Sequence, residues 1–189
     1  MALPSTTKAE MLIRADMWRM DCLDVVKNAG LPDWMIVAGF VRNLIWDHLH
    51  DRDVYTPLND VDVAYFDPID LSADTEQRIE SHLRSFRPAI RWQVRNQARM
   101  HLRNGHPPYQ SSADAISYYP ELPTCIGVRL AGNNAVEIIA PHGMEHCWAH
   151  TIRPNPKTGY PNSVVRERAK NKRWLDIWPA LQIEEENAV

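Results

Sequence analysis

WMIVAGFVRN (residues 34–43) and NDVDVAYFD (residues 59–67) are the two segments on which the fold turns. Trp34 to Ala38 is apolar and short, the signature of a buried strand, and Gly39 follows as a turn residue. Beyond it Val41, Leu44, Ile45, His48 and Leu49 recur at the three- and four-residue steps that put side chains on one face of a helix. In the second segment the period changes to two. Asp60, Asp62 and Ala64 point one way, and Val61, Val63 and Tyr65 the other, so two carboxylates share one face of a strand. The pattern is strand, glycine turn, helix, and a second strand bearing a pair of acids.

Outward from this centre, Thr7 and Glu10 have the spacing of a capping box. Met11, Ala15, Trp18, Cys22, Val25 and Ala29 then predict one amphipathic amino-terminal helix closed by Gly30 and Pro32. Residues 72–86 read as a helix on Ile79, Leu83 and Phe86, and Ile90 to Val94 as a third strand. The polar stretch to Ser112 reads as loop with a helical turn. Ile126 to Leu130 and Ala135 to Ala140 flank Ala131, Gly132, Asn133 and Asn134, a hairpin signal that places Glu137 inside its second strand. With no repeat and no linker, residues 1–189 are expected to form one domain, with 1–7 and 184–189 flexible.

Hydrophobic residues make up 44% and charged residues 24% of the chain, a globular composition that excludes disordered and fibrous classes. Met35 to Val41, the longest apolar run, is far short of the ~20 residues a membrane span needs, and the first residues lack a secretory signal pattern. A soluble, cytoplasmic protein without a membrane partner is expected. The net charge of −3 gives no general attraction for nucleic acid. Locally, Arg153, Lys157, Arg166, Arg168, Lys170, Lys172 and Arg173 face one acid, Glu167. Such a stretch fits either a solvated face or a surface turned to phosphate. Cys22, Cys125 and Cys147 lack regular spacing, which suits buried thiols in a reduced compartment.

Chemistry concentrates at the acid pair. Mg²⁺ binds through one or two carboxylates together with substrate phosphates, an arrangement that phosphoryl and nucleotidyl transfer require. Gly39 and Arg42 precede the pair, so backbone N–H groups at a helix start and a guanidinium could hold a triphosphate beside it. Arg95, Asn96 and Arg99 are candidates for nucleotide or acceptor contacts. Trp174 and Trp178, one helical turn apart beside Lys172 and Arg173, fit core packing of a carboxy-terminal helix or a stacking platform for a base. His142 to His146 spells His-x-x-Glu-His, a zinc-peptidase pattern, but Pro141 before it and Gly143 within it oppose the helix that pattern needs.

AGFVRN followed by NDVDVAYFD resembles the Gly-Gly/Ser-x-x-Arg-Asp … Asp-x-Asp signature of the DNA polymerase beta nucleotidyltransferase superfamily, closest to its poly(A) polymerase and tRNA nucleotidyltransferase heads. WQVRNQARMH, TCIGVRL, EIIAPHGMEH and the closing Lys-x-x-Trp…Trp-Pro pattern are similar to a small, mostly bacterial nucleotidyltransferase-like family without an assigned acceptor. The resemblance spans roughly residues 10–182. It implies an α+β fold: a mixed β-sheet of the polymerase beta type flanked by helices, with an amino-terminal and a carboxy-terminal helix. It also implies Mg²⁺ or Mn²⁺ as cofactor and an NTP, ATP first, as donor. The reaction would pass a nucleoside monophosphate to a hydroxyl acceptor: a small molecule, a protein side chain or an RNA end.

By the same resemblance Asp60, Asp62 and Glu137 are the catalytic and metal-binding carboxylates, and Gly39, Arg42, Asn43, Arg95, Asn96 and Arg99 bind the nucleotide. The sequence departs from the signature at Ala38, where the first glycine stands, at Asn43, where an Asp is usual, and after Glu137, where no Arg follows within three residues. These departures open an alternative, a nucleotide-binding or regulatory module of the same fold with weak or no turnover.

Overall fold

The strand, turn and helix read from residues 34–43 form the centre of a five-stranded mixed sheet in the computed structural model, which describes residues 3–185. Along the chain, α1 (Ser5–Ala15) and α2 (Met17–Asn28) precede β1 (Met35–Val37) and α3 (Gly39–Leu49). Next come β2 (Val61–Tyr65), α4 (Ala73–Phe86), β3 (Trp92–Asn96), α5 (Gln97–Asn104) and α6 (Ser112–Ile116). The hairpin β4 (Gly127–Leu130) and β5 (Val136–Ile139) is followed by α7 (Glu145–Trp148), β6 (Thr151–Ile152), α8 (Asn162–Asn171), α9 (Trp174–Ile177) and β7 (Gln182–Ile183).

The strand order is β3-β2-β1-β4-β5, with β2 and β3 parallel and the other pairs antiparallel. Period-two alternation divides β2 as its sequence demands. Val61, Val63 and Tyr65 join Ile36, Val128 and Leu130 in the main core, beneath Ile13, Leu23, Leu44 and Leu83 of the first four helices. Ala64 faces the other way, with Met35, Val37 and Ile116. Asp60 and Asp62 share that second, more open face. A smaller core joins Trp46 of α3 to Ile152, Val165, Ala169, Trp174, Trp178 and Leu181, which seats the carboxy-terminal elements against α3. Asp47, fully buried, fastens this junction: it accepts hydrogen bonds from Trp178 Nε1 (2.8 Å), Thr56 N (2.7 Å) and Thr56 Oγ1 (2.6 Å). Residues 56–59, which lead into Asp60, are thereby held.

Four expectations need correction. The amino-terminal segment is two helices, because Asp16 leaves helical geometry and caps α2 through Arg19 N (3.0 Å). The break shifts the helical phase, so the buried residues are Ala9, Ile13, Cys22, Leu23 and Val26, while Met11 and Trp18 are exposed. Thr7 lies inside α1 behind Pro4 and caps nothing, and Ser5 to Thr7 belong to the helix. Residues 1–2 and 186–189, also expected to be flexible, lie outside the described residues. The third strand starts two residues later than expected, at Trp92. The polar stretch after it holds α5 and α6, each started by an Asn or Ser cap: Asn96 accepts from Ala98 N and Ser111 from Asp114 N. No helix of the described residues is long and apolar enough to cross a membrane.

Candidate active site

A cleft of about 800 Å³ opens on the second face of the sheet, between the start of α3, the carboxyl-bearing edge of β2 and the α8–α9 segment. Its volume lies in the range of small-molecule sites. Gly39, Arg42, Asn43, Asp60, Asp62 and Arg95 all line it. Six of the residues singled out in the sequence therefore meet in one place.

The junction of β1 and α3 sets the phosphate side. Ala38 caps α3 with φ 53° and ψ −111°, a conformation in which a Cβ is strained and glycine is at ease. The residue that departs from the Gly-Gly signature thus keeps the backbone that signature exists to allow, at a cost on the order of 1 to 3 kcal/mol. Gly39 and Phe40, whose N–H groups begin α3 and have no partner within it, line the cleft. A Cβ on Gly39 would lie 3.5 Å from Arg42 Nη2 and 3.6 Å from Asn43 Oδ1, ordinary contact distances, so Gly39 stands directly beside both side chains.

Arg42 is 5% exposed and sits between two indoles, its guanidinium carbon 4.8 Å from the Trp46 ring centre and 4.5 Å from that of Trp174. Its Nη2 and Nε donate to Asn43 Oδ1 at 2.8 and 3.2 Å. Asn43 is a neutral acceptor, so the departure from Asp orients the guanidinium without cancelling its charge. Burial pulls the Arg42 pKa down to about 10 against the opposing charges of Glu121 and Asp62, which leaves it protonated at neutral pH.

Burial, and secondarily the Asp60 charge, push the Asp62 carboxyl up to about 6. Lys172 and Arg42 act against that rise. Asp60 accepts a hydrogen bond from Gln93, the residue of β3 that stands opposite Asp62. Two carboxylates held together, one of them with a raised pKa, form an oxygen donor set suited to a hard divalent cation completed by phosphate oxygens. Among the described residues no group of three or more His, Cys, Asp or Glu side chains joins them.

Glu137, Asn96 and Arg99 are placed elsewhere. Glu137 lies on β5, the outermost strand, three strands and roughly 14 Å across the sheet from β2 at the usual strand spacing. There it pairs with Arg129 across the hairpin (2.7 Å), and that hydrogen bond lowers its pKa. Asn96 is fully buried and spends its amide on Asp67 and Asp70 carbonyls (2.8 Å each) and its Oδ1 on Asp67 N and Ala98 N. Arg99 forks onto Glu76 at 2.6 and 2.9 Å. These are latches of β3 and α4, with their hydrogen-bonding capacity committed.

Several cleft residues escaped the sequence reading as site members. Arg168, Lys172 and Arg173 line the cleft, so part of the basic stretch faces it. Trp174 and Trp178 are 2% and 1% exposed, so both are core residues, and Trp174 also stacks on Arg42. Gln93, Tyr119 and Tyr160 carried no signal in sequence beyond their polarity. The His-x-x-Glu-His pattern builds nothing: α7 starts only at Glu145, Gly143 has φ 91°, and a His142 ring nitrogen lies 2.8 Å from the Ser117 carbonyl. The three cysteines are free and buried, their thiols pushed up to about 12 chiefly by burial.

Comparison with known proteins agrees with this geometry. The family model described as nucleotidyltransferase matches residues 24–183. A solved protein whose NMR structure "reveals a CCA-adding enzyme head domain" is 32% identical, with a TM-score of 0.82 over 95% of this chain and 96% of that one. A CCA-adding enzyme in complex with CTP is 13% identical, with a TM-score of 0.57 over 95% of this chain but 43% of its own length, a likeness of fold alone. No curated protein matches the sequence. The strand-turn-helix that opened the reading and a match across most of the chain lead to the same place: this protein belongs to the nucleotidyltransferase family.

Proposed function

We propose that the protein is an Mg²⁺-dependent nucleotidyltransferase that passes a nucleoside monophosphate from an NTP to a hydroxyl acceptor. The observation that carries the reading is the meeting, in one cleft, of an acid pair with a buried arginine that has only a neutral asparagine as its hydrogen-bond acceptor. The acid pair keeps a raised Asp62 pKa despite Lys172, Arg42 and Arg95, and Arg42 makes no ion pair of its own among the described residues, so a metal-bound triphosphate would complement both.

Asp60 and Asp62 would hold the ion, which when bound neutralises phosphate charge. The α3 N–H groups at Gly39 and the Arg42 guanidinium take the β- and γ-phosphates, where negative charge grows as the leaving group departs. Arg95, half-exposed and already bonded to Glu80 at 2.8 Å, and Lys172 beside Asp62 add positive potential at the rim. The acceptor oxygen forms a bond to the α-phosphorus while the α–β bridging bond breaks, pyrophosphate leaves, and the hydroxyl proton passes to solvent. The cytoplasm is the compartment we assign, and ATP the donor we would try first.

A second reading, nucleotide binding without turnover, is favoured by the lack of a third carboxylate at the pair among the described residues. Incubation with each α-labelled NTP, Mg²⁺ or Mn²⁺, and a panel of RNA ends, proteins and small alcohols distinguishes the two. Label transfer with release of pyrophosphate supports the enzyme. Metal-dependent binding of NTP without transfer to any acceptor class favours the module.

A further inference from the structure

The cleft is also bordered by a group of rings the phosphate chemistry does not use. Tyr109 is buried and fixes the group: its hydroxyl lies 2.5 Å from His106 Nδ1 and its ring packs 5.4 Å from that of Tyr118. His106 stacks on Tyr118 with centroids 4.7 Å apart, and the Lys157 ammonium sits 3.8 Å from the Tyr118 ring centre. Tyr160 differs from the rest. It is 37% exposed, and its ring stands 6.4 Å from His106 at 42°, too far for direct stacking. His106, Tyr118 and Tyr160 all line the cleft that holds the acid pair, and Tyr118 adjoins Tyr119, which feels the Asp62 charge.

We propose that His106 and Tyr160 form the base subsite of this cleft, taking the nucleobase of the donor NTP between their rings. A planar ring inserted between two others needs about 7 Å, twice the ~3.5 Å contact distance, so a small outward swing of the exposed Tyr160 admits it. The inner wall does not have to move, because Tyr109 and Tyr118 hold His106 in place. Desolvation and Lys157 lower the His106 pKa, which keeps the imidazole uncharged at neutral pH. Stacking of this kind reads ring area and not hydrogen-bond pattern. The subsite should therefore favour ATP and GTP over CTP and UTP without separating members of either pair.

The inference rests on the triphosphate site proposed above, and inorganic tripolyphosphate separates the two. The full chain is titrated with Mg²⁺ plus tripolyphosphate and with Mg²⁺ plus each NTP, as wild type, Tyr160→Ala and Tyr160→Phe. The wild type should bind ATP about 5- to 100-fold tighter than tripolyphosphate, the span expected for one stacked base. Tyr160→Ala should erase that preference with tripolyphosphate binding unchanged, and Tyr160→Phe should keep it. An ATP preference untouched by Tyr160→Ala, or lost in Tyr160→Phe, overturns the stacking subsite. Binding of tripolyphosphate with no preference for ATP overturns the subsite alone. Binding of neither ligand overturns the triphosphate site and the subsite with it.

Discussion

Asp62 and Glu137 are carboxylates on two strands of one sheet, β2 and β5, with β1 and β4 between them, and they are treated in opposite ways. On β5, Glu137 is about half-exposed and shares Arg129 with Asp33, and that arginine holds its pKa below the usual carboxylate value. On β2, Asp62 is drawn into a desolvated cleft beside Asp60, and its pKa rises to about 6. The β5 end has settled its charges internally. The β2 end carries a strained Ala38, an arginine with a neutral acceptor and an acid pair under repulsion, all of which cost stability and all of which a bound metal and triphosphate would relieve.

The largest effect that could break this contrast is on binding. Arg42→Met fills the space between Trp46 and Trp174 but removes the charge, and should weaken Mg²⁺-dependent ATP binding by about 100-fold, a charge-assisted contact's worth of 2 to 3 kcal/mol. Calorimetry reads it; unchanged affinity would remove Arg42 from the phosphate site.

Next in size is a gain in stability. The folded Asp62 carboxyl titrates near 6 against an ordinary 3.8, so the wild type loses stability as pH rises from about 4 to about 6. Asp62→Asn has no such loss. Its advantage should be absent below about pH 4 and, with the ~3 kcal/mol of the full shift reduced by solvent screening of a partly exposed carboxyl, reach about 2 kcal/mol above pH 6, a rise in Tm of roughly 4 to 8 °C without metal. A thermal-melt series over pH checks the window, and a variant less stable at pH 7 would make Asp62 a structural residue.

Much of this contrast was open to inspection in sequence and some was not. The acid pair, Gly39 and Arg42 were legible because period-two and 3.6-residue spacing are local properties. The hairpin around Glu137 was legible too, but not its place: that β4 pairs with β1 and leaves β5 outermost is a matter of strand order, which no local pattern encodes. Asn96 and Arg99 looked like ligands because their demands for Asp67, Asp70 and Glu76 are met only in the folded chain. Lys172 and Arg168 stood out as charge, while their seat beside the cleft depends on the tryptophan packing against α3.

Smaller effects sharpen the comparison further. Ala38→Gly restores the residue its φ of 53° favours and should stabilise the chain by about 1 kcal/mol in chemical denaturation, with binding retained. A destabilised variant would mean that Ala38 is not strained. Smallest of all, Glu137→Gln should change stability by less than about 1 kcal/mol, as befits an exposed ion pair.

The most direct measurement is a calorimetric titration of ATP with Mg²⁺ into the wild type, Asp62→Asn and Glu137→Gln side by side. The account predicts equal affinity for the wild type and Glu137→Gln, and no metal-dependent binding by Asp62→Asn. Binding retained by Asp62→Asn, or lost with Glu137→Gln, would put the nucleotide at the wrong end of the sheet and contradict it.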